Sequence, residues 1–381
     1  MERAPDPTPT PAPQATPKPA RGQRAAYPLP GRPVVELHRH LDGNVRTATV
    51  LDLARRHGVE LPADSVEELT PHVQITSPTP TLVDFLAKFR WLQAVIADYD
   101  AVRRIVRENL EDAVAEGIDH VELRFSPYFM GEVHGLDAAG VAEAACDALE
   151  EAADLPVSAK LIGIISRTYG PEIGWQEVDA AIAQRHRGVV ALDLAGDEAG
   201  FPGDLFVDHF RRAREAGLRL IAHAGEAAGA DSVRQAVEEL EVERVGHGVR
   251  AVEDATVIDL LRDRGVALEV CPTSNVQTST VESYAAHPLP ELLERGLIVT
   301  LNTDDPSISG IDLPHEYRVA REEIGLDDEA LETLQENAFA AAFLDDDERR
   351  RLEQAAHRRD EHGRDQHQRD EDSNHQTRGQ S

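Results

Sequence analysis

The sequence is poor in cysteine and in long apolar runs. Its 381 residues include two cysteines, Cys146 and Cys271, and no C-x-x-C pair, which excludes a disulfide framework and a cysteine-rich metal site. No segment approaches the roughly 18 unbroken apolar residues that would span a bilayer, and the amino terminus lacks the apolar stretch of a secretion signal. We therefore expect a protein of the reducing cytoplasm. Its hydrophobic content of 41% can supply a substantial core.

Positive charge is also scarce. Asp and Glu number 70 against 39 Lys and Arg, which gives a formal net charge of −31, and lysine occurs only at Lys18, Lys88 and Lys160. Nucleic acid and anionic membrane surfaces would be repelled at long range, so neither is an expected partner. An acidic, lysine-poor composition is similar to that of halophilic proteins, whose hydrated carboxylates keep them soluble in concentrated salt. We therefore hypothesise a salt-adapted source.

Both ends of the chain are predicted to be disordered. Residues 1–33 are rich in proline and small residues, a composition that cannot bury enough apolar surface to offset its ordering entropy. Residues 351–381 are mixed in charge and almost free of large apolar side chains, so we expect a fraying helix followed by a disordered, charged tail. The tail histidines lack a fixed spacing, and we expect no metal site there.

Residues 34–350 predict one catalytic domain of class α/β. Short apolar runs alternate with segments of helical period, which is typical of repeated β/α units around a parallel sheet. We expect a TIM (β/α)8 barrel, with an open doubly wound sheet as the alternative. No glycine-rich phosphate-binding motif follows the first strand, which counts against nucleotide-binding versions of that alternative. The eight candidate strands span residues 34–38, 120–125, 159–165, 189–194, 218–223, 243–247, 266–271 and 297–302.

The segment between the first two strands is too long for one connecting helix. Residues 60–100 contain the stretch TLVDFLAKFRWLQAVI. An insertion after a barrel strand lies at the catalytic mouth, so this stretch is either an apolar helical lid or a helix packed on the barrel. Six of its apolar side chains are Leu82, Phe85, Leu86, Phe89, Trp91 and Leu92.

Polar residues cluster at the carboxyl ends of the predicted strands, where a barrel places its active site. His38 and His40 share one face of the first strand and point into the mouth, whereas Arg39 points away. Core or surface histidines also produce H-x-H pairs, but His223 after strand five and Asp304 after strand eight strengthen the signal. Three imidazoles and a carboxylate suit Zn²⁺ or a similar divalent ion, with a position left for water. Such an ion would lower the pKa of that water toward about 7.

Five motifs carry a resemblance to a known family. HRHLDG, LDLAGDE, HAGEAAG, GHG and NTDDP, in this order and at these spacings, resemble the adenosine deaminase family of the amidohydrolase barrels. The resemblance runs from about residue 34 to about residue 345. It implies zinc-dependent hydrolytic deamination of adenosine and 2′-deoxyadenosine to inosine or deoxyinosine and ammonia, in purine salvage. We accordingly expect one Zn²⁺ per chain, a small purine nucleoside as the partner, and a monomer.

The resemblance also assigns roles to the catalytic residues and the metal ligands. Glu226 would donate a proton to purine N1 as hydroxide attacks C6, which requires a carboxyl pKa raised by burial. Otherwise Glu226 is an acidic residue at the start of a helix. His247 would orient and deprotonate the water, although alone it would be interpreted as a core histidine. The metal ligands would be His38, His40, His223 and Asp304.

Three further residues would bind the nucleoside. Asp305 would hydrogen-bond N7 of the purine, Gly196 would offer its backbone N–H to N3, and Asp42 would hold a ribose hydroxyl. By themselves, the Asp-Asp-Pro run is also a good turn sequence and Asp42 an Asx-type turn. Family members that act on free adenine often carry HxEG in place of HxDG, so Asp42 favours a nucleoside.

Two other functions stay open. The same chemistry could act on adenine or another 6-aminopurine nucleoside, or the chain could be a catalytically silent purine-binding protein, which has no need for both a metal site and a proton donor. The deaminases that carry H-x-E with P-C-x-x-C are excluded, because Cys271 and Pro272 belong to no such motif. Cys271 is instead interpreted as a small apolar residue at the end of strand seven.

Overall fold

Eight parallel strands form the wall of a barrel in the computed structural model, which describes Tyr27 and residues 31–79 and 81–358. The backbone N–H of His40 donates to the carbonyl of Asp304, and that of Asp304 donates to the carbonyl of His38, both at 2.8 Å. These bonds join the first strand to the residues after the last. The strands are β1 (Val35–His40), β2 (His120–Phe125), β3 (Ser158–Ser166), β4 (Val189–Ala195), β5 (Arg219–Ala224), β6 (Arg244–His247), β7 (Ala267–Val270) and β8 (Val299–Leu301).

The sheet confirms the predicted TIM barrel. Its strands neighbour one another in chain order from β1 to β8, whereas a doubly wound sheet has a non-sequential order. Each strand begins and ends within two residues of its predicted position. β1, β2 and β6 are buried along their whole length, as expected of a parallel sheet that is covered by helices.

Helices cover the outside of the barrel, and their ends follow sequence signals. Asp98 caps the helix that begins at Tyr99, because its carboxylate accepts the N–H of Ala101 at 2.8 Å. Gly58 and Gly265 end two other helices in the left-handed conformation. The α-helices span Thr47–His57, Val66–Val73, Leu82–Leu86, Arg90–Ala94, Tyr99–Ala115, Pro127–Gly131, Ala138–Glu151, Gly170–Ala183, Val207–Glu215, Ala230–Glu238, Ala255–Arg264, Pro272–Gln277, Leu289–Glu294, Pro306–Ser309, Leu313–Val319 and Asp328–Ala341. Short 3-10 helices span Ala87–Phe89, Glu132–His134, Arg167–Tyr169, Arg185–Arg187, Gly203–Phe206, Val249–Glu253 and Tyr284–Ala286, and a π-helix spans Ala320–Ile324.

The insertion after β1 is both a lid and part of the core. Its base is tied to the helix that follows β7, where the N–H of Thr79 donates to the carbonyl of Gln277 at 2.7 Å. Leu92 packs into the hydrophobic core, so the helix-packing interpretation holds for that residue. The side chains that line the mouth, as a lid would, are Leu82, Phe85, Leu86 and Phe89. Of these, Phe85 and Phe89 also belong to the core.

Two further predictions concern membranes and the chain ends. Within the described residues, every helix is too short or too polar to cross a bilayer. Residues 346–358 are helical, in line with the helix predicted at the start of the tail. The rest of the predicted tail and nearly all of the predicted leader lie outside the described residues.

Candidate active site at the barrel mouth

Four side chains from separate parts of the chain converge at the carboxyl ends of the strands. Nε2 of His40 lies 3.2 Å from Nε2 of His223. Oδ1 of Asp304 lies 3.3 Å from Nε2 of His38 and from Nε2 of His40. The candidate ligand atoms of the four residues lie within 4.8 Å of one another, and all four residues are buried. The structure therefore brings together the metal-binding set predicted from the sequence.

The chemistry of these atoms fits a divalent cation. Nδ1 of His38 lies 2.9 Å from Oε2 of Glu269, and Nδ1 of His223 lies 3.1 Å from Oδ2 of Asp193. Because a carboxylate only accepts, each ring donates its Nδ1–H to the carboxylate, which leaves Nε2 as the atom that can bind a metal. Nε2 of His38 is buried without a hydrogen-bond partner among the described residues. Imidazole nitrogens with one carboxylate are a donor set that Zn²⁺ prefers, so the residues present fit this ion.

The electrostatics of the cluster also favour a cation. Burial disfavours a charged His40, but Asp305, Asp42 and Asp304 outweigh it and raise the pKa of His40 to about 9. The carboxylates thus attract positive charge to the centre, which a metal ion supplies permanently.

Two buried carboxylates behind the histidines are held by an arginine. Arg124 donates to Asp193 at 2.8 Å and to Glu269 at 2.6 Å, and all three side chains are fully buried. Burial opposes the charge of each carboxylate, but the neighbouring Arg124 and histidine rings outweigh it and hold the pKa of Asp193 and of Glu269 below the ordinary range. Neither carboxylate was predicted from the sequence, although each is an acidic residue inside an otherwise apolar strand.

Two site residues adopt a backbone conformation that favours glycine. The φ angle is 64° at Asp304 and 59° at His247. A non-glycine residue in this region costs about 1–3 kcal/mol and persists only where its surroundings hold it. For Asp304, the two backbone hydrogen bonds to β1 do so. The chain therefore bends sharply where it presents both side chains to the mouth.

Glu226 lies on the loop after β5 and lines the mouth. Its side chain is 5% exposed, and burial, together with the negative charges of Asp304 and Glu198, raises the pKa of Glu226 well above the ordinary range. A raised pKa favours the protonated form of the carboxyl group, which is the form that can donate a proton. The following helix begins at Ala230, so Glu226 is not part of a helical first turn.

One buried carboxylate, that of Glu198, binds the backbone of the loop that carries Glu226. Oε1 of Glu198 accepts the N–H of Gly225 at 2.7 Å, and Oε2 accepts those of Glu226 at 3.1 Å, Ala227 at 2.6 Å and Ala228 at 2.9 Å. Without this acceptor, four N–H groups in a mostly buried loop would lose their partner. Glu198 belongs to the LAGDE motif, but its structural role was not predicted, because its partners are backbone groups that no residue pattern marks.

His247 ends β6 and also lines the mouth. Its Nε2 lies 3.6 Å from Oε2 of Glu226 and 3.8 Å from Oδ2 of Asp304. Its Nδ1 lies 3.1 Å from Nδ2 of Asn275. Burial lowers the pKa of His247 well below its ordinary value, so the ring is neutral at physiological pH. The neutral ring therefore faces both Glu226 and the candidate metal ligand Asp304.

One cavity of about 220 Å³ connects these groups. Every predicted site residue except His38 lines it, and His38 lies beneath. Besides the predicted site residues and the four lid side chains, the cavity is lined by Ser126, Phe129, Ile164, Ser166, Thr168, Tyr169 and Ala195. The cavity therefore has an apolar lid side and a polar floor.

The predicted purine-binding and ribose-binding residues all line this cavity. Burial and the charge of Asp304 raise the pKa of Asp305 well above the ordinary range, so its carboxyl group can donate a hydrogen bond. The φ angle of Gly196 is 107°, and a Cβ there would lie 2.7 Å from Oγ1 of Thr168, so the position requires glycine. Oδ2 of Asp42 accepts the N–H of Ser126 at 3.1 Å.

The sequence comparisons agree with this site. The family model for adenosine deaminase matches residues 33–358. The chain is 51% identical over 321 residues to the adenosine deaminase of Serratia proteamaculans, which covers 84% of this chain and 96% of that protein. It is 50% identical over 328 residues to the adenosine deaminase of Aliivibrio fischeri, which covers 86% of this chain and 98% of that protein.

Solved structures share the fold over a similar length. The adenine deaminase from Arthrobacter aurescens is 32% identical with a TM-score of 0.79, over 85% of this chain and 98% of that one. An amidohydrolase from Burkholderia ambifaria, with bound Zn, is 28% identical with a TM-score of 0.77, over 88% of this chain and 92% of that one. Arabidopsis ADAL complexed with GMP is 25% identical with a TM-score of 0.75, over 85% and 96%.

Proposed function

The chain belongs to the adenosine deaminase family and deaminates adenosine hydrolytically; from this premise we propose that the predicted site residues perform the reaction with one Zn²⁺ per chain, and that 2′-deoxyadenosine is a second substrate. The observation that carries the proposal is the meeting of candidate metal ligands, the buried carboxyl group of Glu226 and candidate purine-binding groups in one cavity. A purine-binding protein without catalysis would have no use for that combination.

The metal-binding part of the proposal assigns four ligands. When bound, Zn²⁺ supplies Lewis-acid activation of water near neutral pH. Glu269 and Asp193 bind the Nδ1 side of His38 and His223, so Nε2 of each ring would be the atom that holds the ion. The fourfold set is completed by His40 and Asp304. Metal analysis should give about one zinc per chain, and full activity in an exhaustively chelated, metal-free sample would overturn the assignment.

Glu226 supplies the proton in this mechanism. It protonates N1 of the purine, which makes C6 electrophilic toward the oxygen of water. The new C6–O bond replaces the C6–N bond, so adenosine and water yield inosine and ammonia. We expect Glu226→Gln to lower kcat by about 10²–10⁴-fold and to leave the affinity for inosine within a few-fold. Unchanged turnover would overturn the role of Glu226.

The remaining polar groups orient the nucleoside. The protonated carboxyl of Asp305 donates to N7 of the purine, and the N–H of Gly196 donates to N3. Asp42 accepts a hydrogen bond from a ribose hydroxyl. These contacts hold C6 beside the candidate metal ligands. Purine N7 is an acceptor, so Asp305 can bind it only as a protonated donor, and the raised pKa of Asp305 favours that form.

Free adenine is the competing substrate, because a structural neighbour is an adenine deaminase. Two observations favour the nucleoside: curated adenosine deaminases are about 50% identical to this chain, and position 42 carries aspartate. Turnover of adenosine, 2′-deoxyadenosine and adenine, followed by ultraviolet absorbance, separates the two. Strong turnover of adenine with none of the nucleosides would reject the assignment.

We also propose that the protein is cytoplasmic, monomeric and adapted to salt. Cys146 and Cys271 are both buried and unpaired among the described residues, which suits a reducing compartment. The carboxylates that give the net charge of −31 repel one another in dilute buffer, and salt screens this repulsion. We expect both the activity and the free energy of unfolding to increase with KCl concentration. Full activity in dilute buffer that falls in molar KCl would reject the adaptation, and light scattering tests the monomer.

A further inference from the structure

A row of hydrogen bonds runs from the backbone to the side of the His247 ring that faces away from the cavity. The N–H of Leu289 donates to Nδ1 of His287 at 3.1 Å. Nε2 of His287 lies 3.3 Å from Oδ1 of Asn275, and Nδ2 of Asn275 lies 3.1 Å from Nδ1 of His247. All three side chains are buried, with exposures of 4% for His287, 0% for Asn275 and 1% for His247. The row is therefore shielded from water along its length.

The first bond of the row has a fixed direction. A backbone N–H can only donate, so Nδ1 of His287 must accept. Burial lowers the pKa of His287 to about 4, so the ring is neutral at physiological pH and has a single N–H. That proton lies on Nε2 and is donated to Oδ1 of Asn275. Leu289 thereby sets the tautomer of His287 and, through it, the orientation of the Asn275 amide.

The orientation of the Asn275 amide determines which ring nitrogen of His247 accepts a hydrogen bond. With its oxygen turned to His287, Asn275 turns its NH₂ group to Nδ1 of His247. An NH₂ group only donates, so Nδ1 of His247 accepts and the neutral ring carries its proton on Nε2. The opposite orientation of the amide would place the NH₂ of Asn275 against Nε2–H of His287 and leave two facing donors in a buried place.

We propose that Asn275 and His287 are positioning residues that fix the Nε2–H tautomer of His247. Nε2 is the atom on the side of Glu226 and Asp304, at 3.6 Å and 3.8 Å from their carboxylate oxygens. In this tautomer the ring presents a hydrogen-bond donor to the oxygen that attacks C6. The base role predicted for His247 from the sequence needs a lone pair on Nε2, which this tautomer lacks. The inference deepens the proposed function and rests on it only for the catalytic consequence.

Nuclear magnetic resonance tests the tautomer without turnover. Long-range proton–nitrogen correlation of protein labelled with ¹⁵N-histidine distinguishes Nδ1–H from Nε2–H in each ring, both in zinc-loaded and in metal-free protein. We expect His247 and His287 to be Nε2–H tautomers above neutral pH. His209 is the internal control, because its Nε2 lies 2.8 Å from the carbonyl oxygen of Pro171 and the carbonyl only accepts. An Nδ1–H signal for His247 in the unaltered protein would overturn the proposal.

Asn275→Asp is the decisive variant. It keeps the shape of the side chain but offers only acceptors to both rings. We expect Nδ1 of His247 to gain a proton, kcat for adenosine to fall by about 10–100-fold, and KM to stay within about threefold. His287 and His209 should keep their signals. A His247 that remains the Nε2–H tautomer in this variant would overturn the inference. If the proton moves and kcat does not change, the tautomer assignment stands and the proposed role of His247 in the reaction fails.

A second pair of variants covers the case in which Asn275→Asp does not fold. Glutamine at position 287 can still donate an N–H to Oδ1 of Asn275, whereas phenylalanine cannot. We expect His287→Gln to keep the Nε2–H signal of His247 and most of kcat. His287→Phe should give a mixture of His247 tautomers and a lower kcat. Equal spectra and equal kcat for the two variants would contradict a positioning role for His287.

Discussion

The α-carbon of Gly43 faces the carboxyl group of Asp305 with no room for a side chain. A Cβ on Gly43 would lie 1.5 Å from Oδ1 of Asp305, so an alanine there must displace the group proposed to bind purine N7. We expect Gly43→Ala to lower kcat/KM for adenosine by about 10²-fold, because a displacement of about 1 Å at a binding group has effects of that size. Steady-state kinetics on the purified variant checks this.

Gly265→Ala is the control for this variant. Gly265 has a φ of 64° and no atom within 4 Å of an added Cβ, so alanine strains the backbone without a clash. It should cost about 1 kcal/mol of unfolding free energy and leave kcat/KM unchanged. An unaltered kcat/KM for Gly43→Ala would show that Asp305 is not held as the structure places it, or that it does not bind the purine.

The contact between Glu198 and the loop of Glu226 leads to a second prediction. Glutamine at position 198 replaces one acceptor oxygen by an NH₂ group that faces backbone N–H donors. We expect Glu198→Gln to lower kcat by about 10–100-fold with a smaller change in KM, because the groups proposed to bind purine and ribose are untouched. The unfolding free energy should fall by about 1–3 kcal/mol, since buried N–H groups lose their acceptor.

The exposed Glu239 provides a matched control for Glu198. Glu239→Gln removes the same charge from the surface and should change neither kcat nor stability. If Glu198→Gln lowered stability but left kcat at the wild-type value, the loop geometry would not be needed for proton donation.

The candidate metal ligands and the candidate proton donor could be identified because their residue types and their place at strand ends are both visible in the sequence. His38 is part of an H-x-H pair on a strand, and Glu226 follows a strand in HAGE. The residues that support them could not be found in this way. Glu198 binds backbone groups 27–30 positions away, and Asn275 and His287 reach His247 only through the fold. Their side chains look like ordinary buried polar residues until the strand ends are brought together.

The lid shows a different limit of sequence analysis. Its position after β1 follows from the length of the insertion, but a helical period of apolar residues serves a lid and a core equally well. The fold decides between them residue by residue: Phe85 and Phe89 line the cavity and also belong to the core, whereas Leu92 belongs to the core and does not line the cavity.

Glu177 predicts a pH dependence of stability. Its buried carboxyl group accepts hydrogen bonds from the hydroxyl of Ser126 and from the N–H of Ser166, the latter at 2.8 Å. Burial raises the pKa of Glu177 from 4.5 to about 8, so the folded protein binds this proton more tightly than the unfolded chain. The resulting stabilisation is complete below the unfolded pKa and is lost as the pH rises through the folded pKa.

Glutamine at position 177 removes this titration and keeps the shape. The unfolding free energy of the unaltered protein, minus that of Glu177→Gln, should fall by about 4 kcal/mol as the pH rises between the two pKa values. Urea unfolding of both proteins across that range measures the difference, in which all other titrating groups cancel. A difference that stays constant or increases with pH would contradict a neutral, buried Glu177.

The charge of the cavity predicts that nucleotides are rejected. Among the described residues that line it there is no lysine or arginine, whereas Asp42, Glu226, Asp304 and Asp305 all contribute carboxyl groups. A 5′-phosphate would have to leave water for a site that offers it no cation. We expect kcat/KM for AMP to lie about 10³-fold or more below that for adenosine, measured with both substrates in one assay and at high salt, where long-range repulsion is screened. Comparable turnover of AMP would mean that a basic group reaches the phosphate, and the ribose contact proposed for Asp42 would then have to be abandoned.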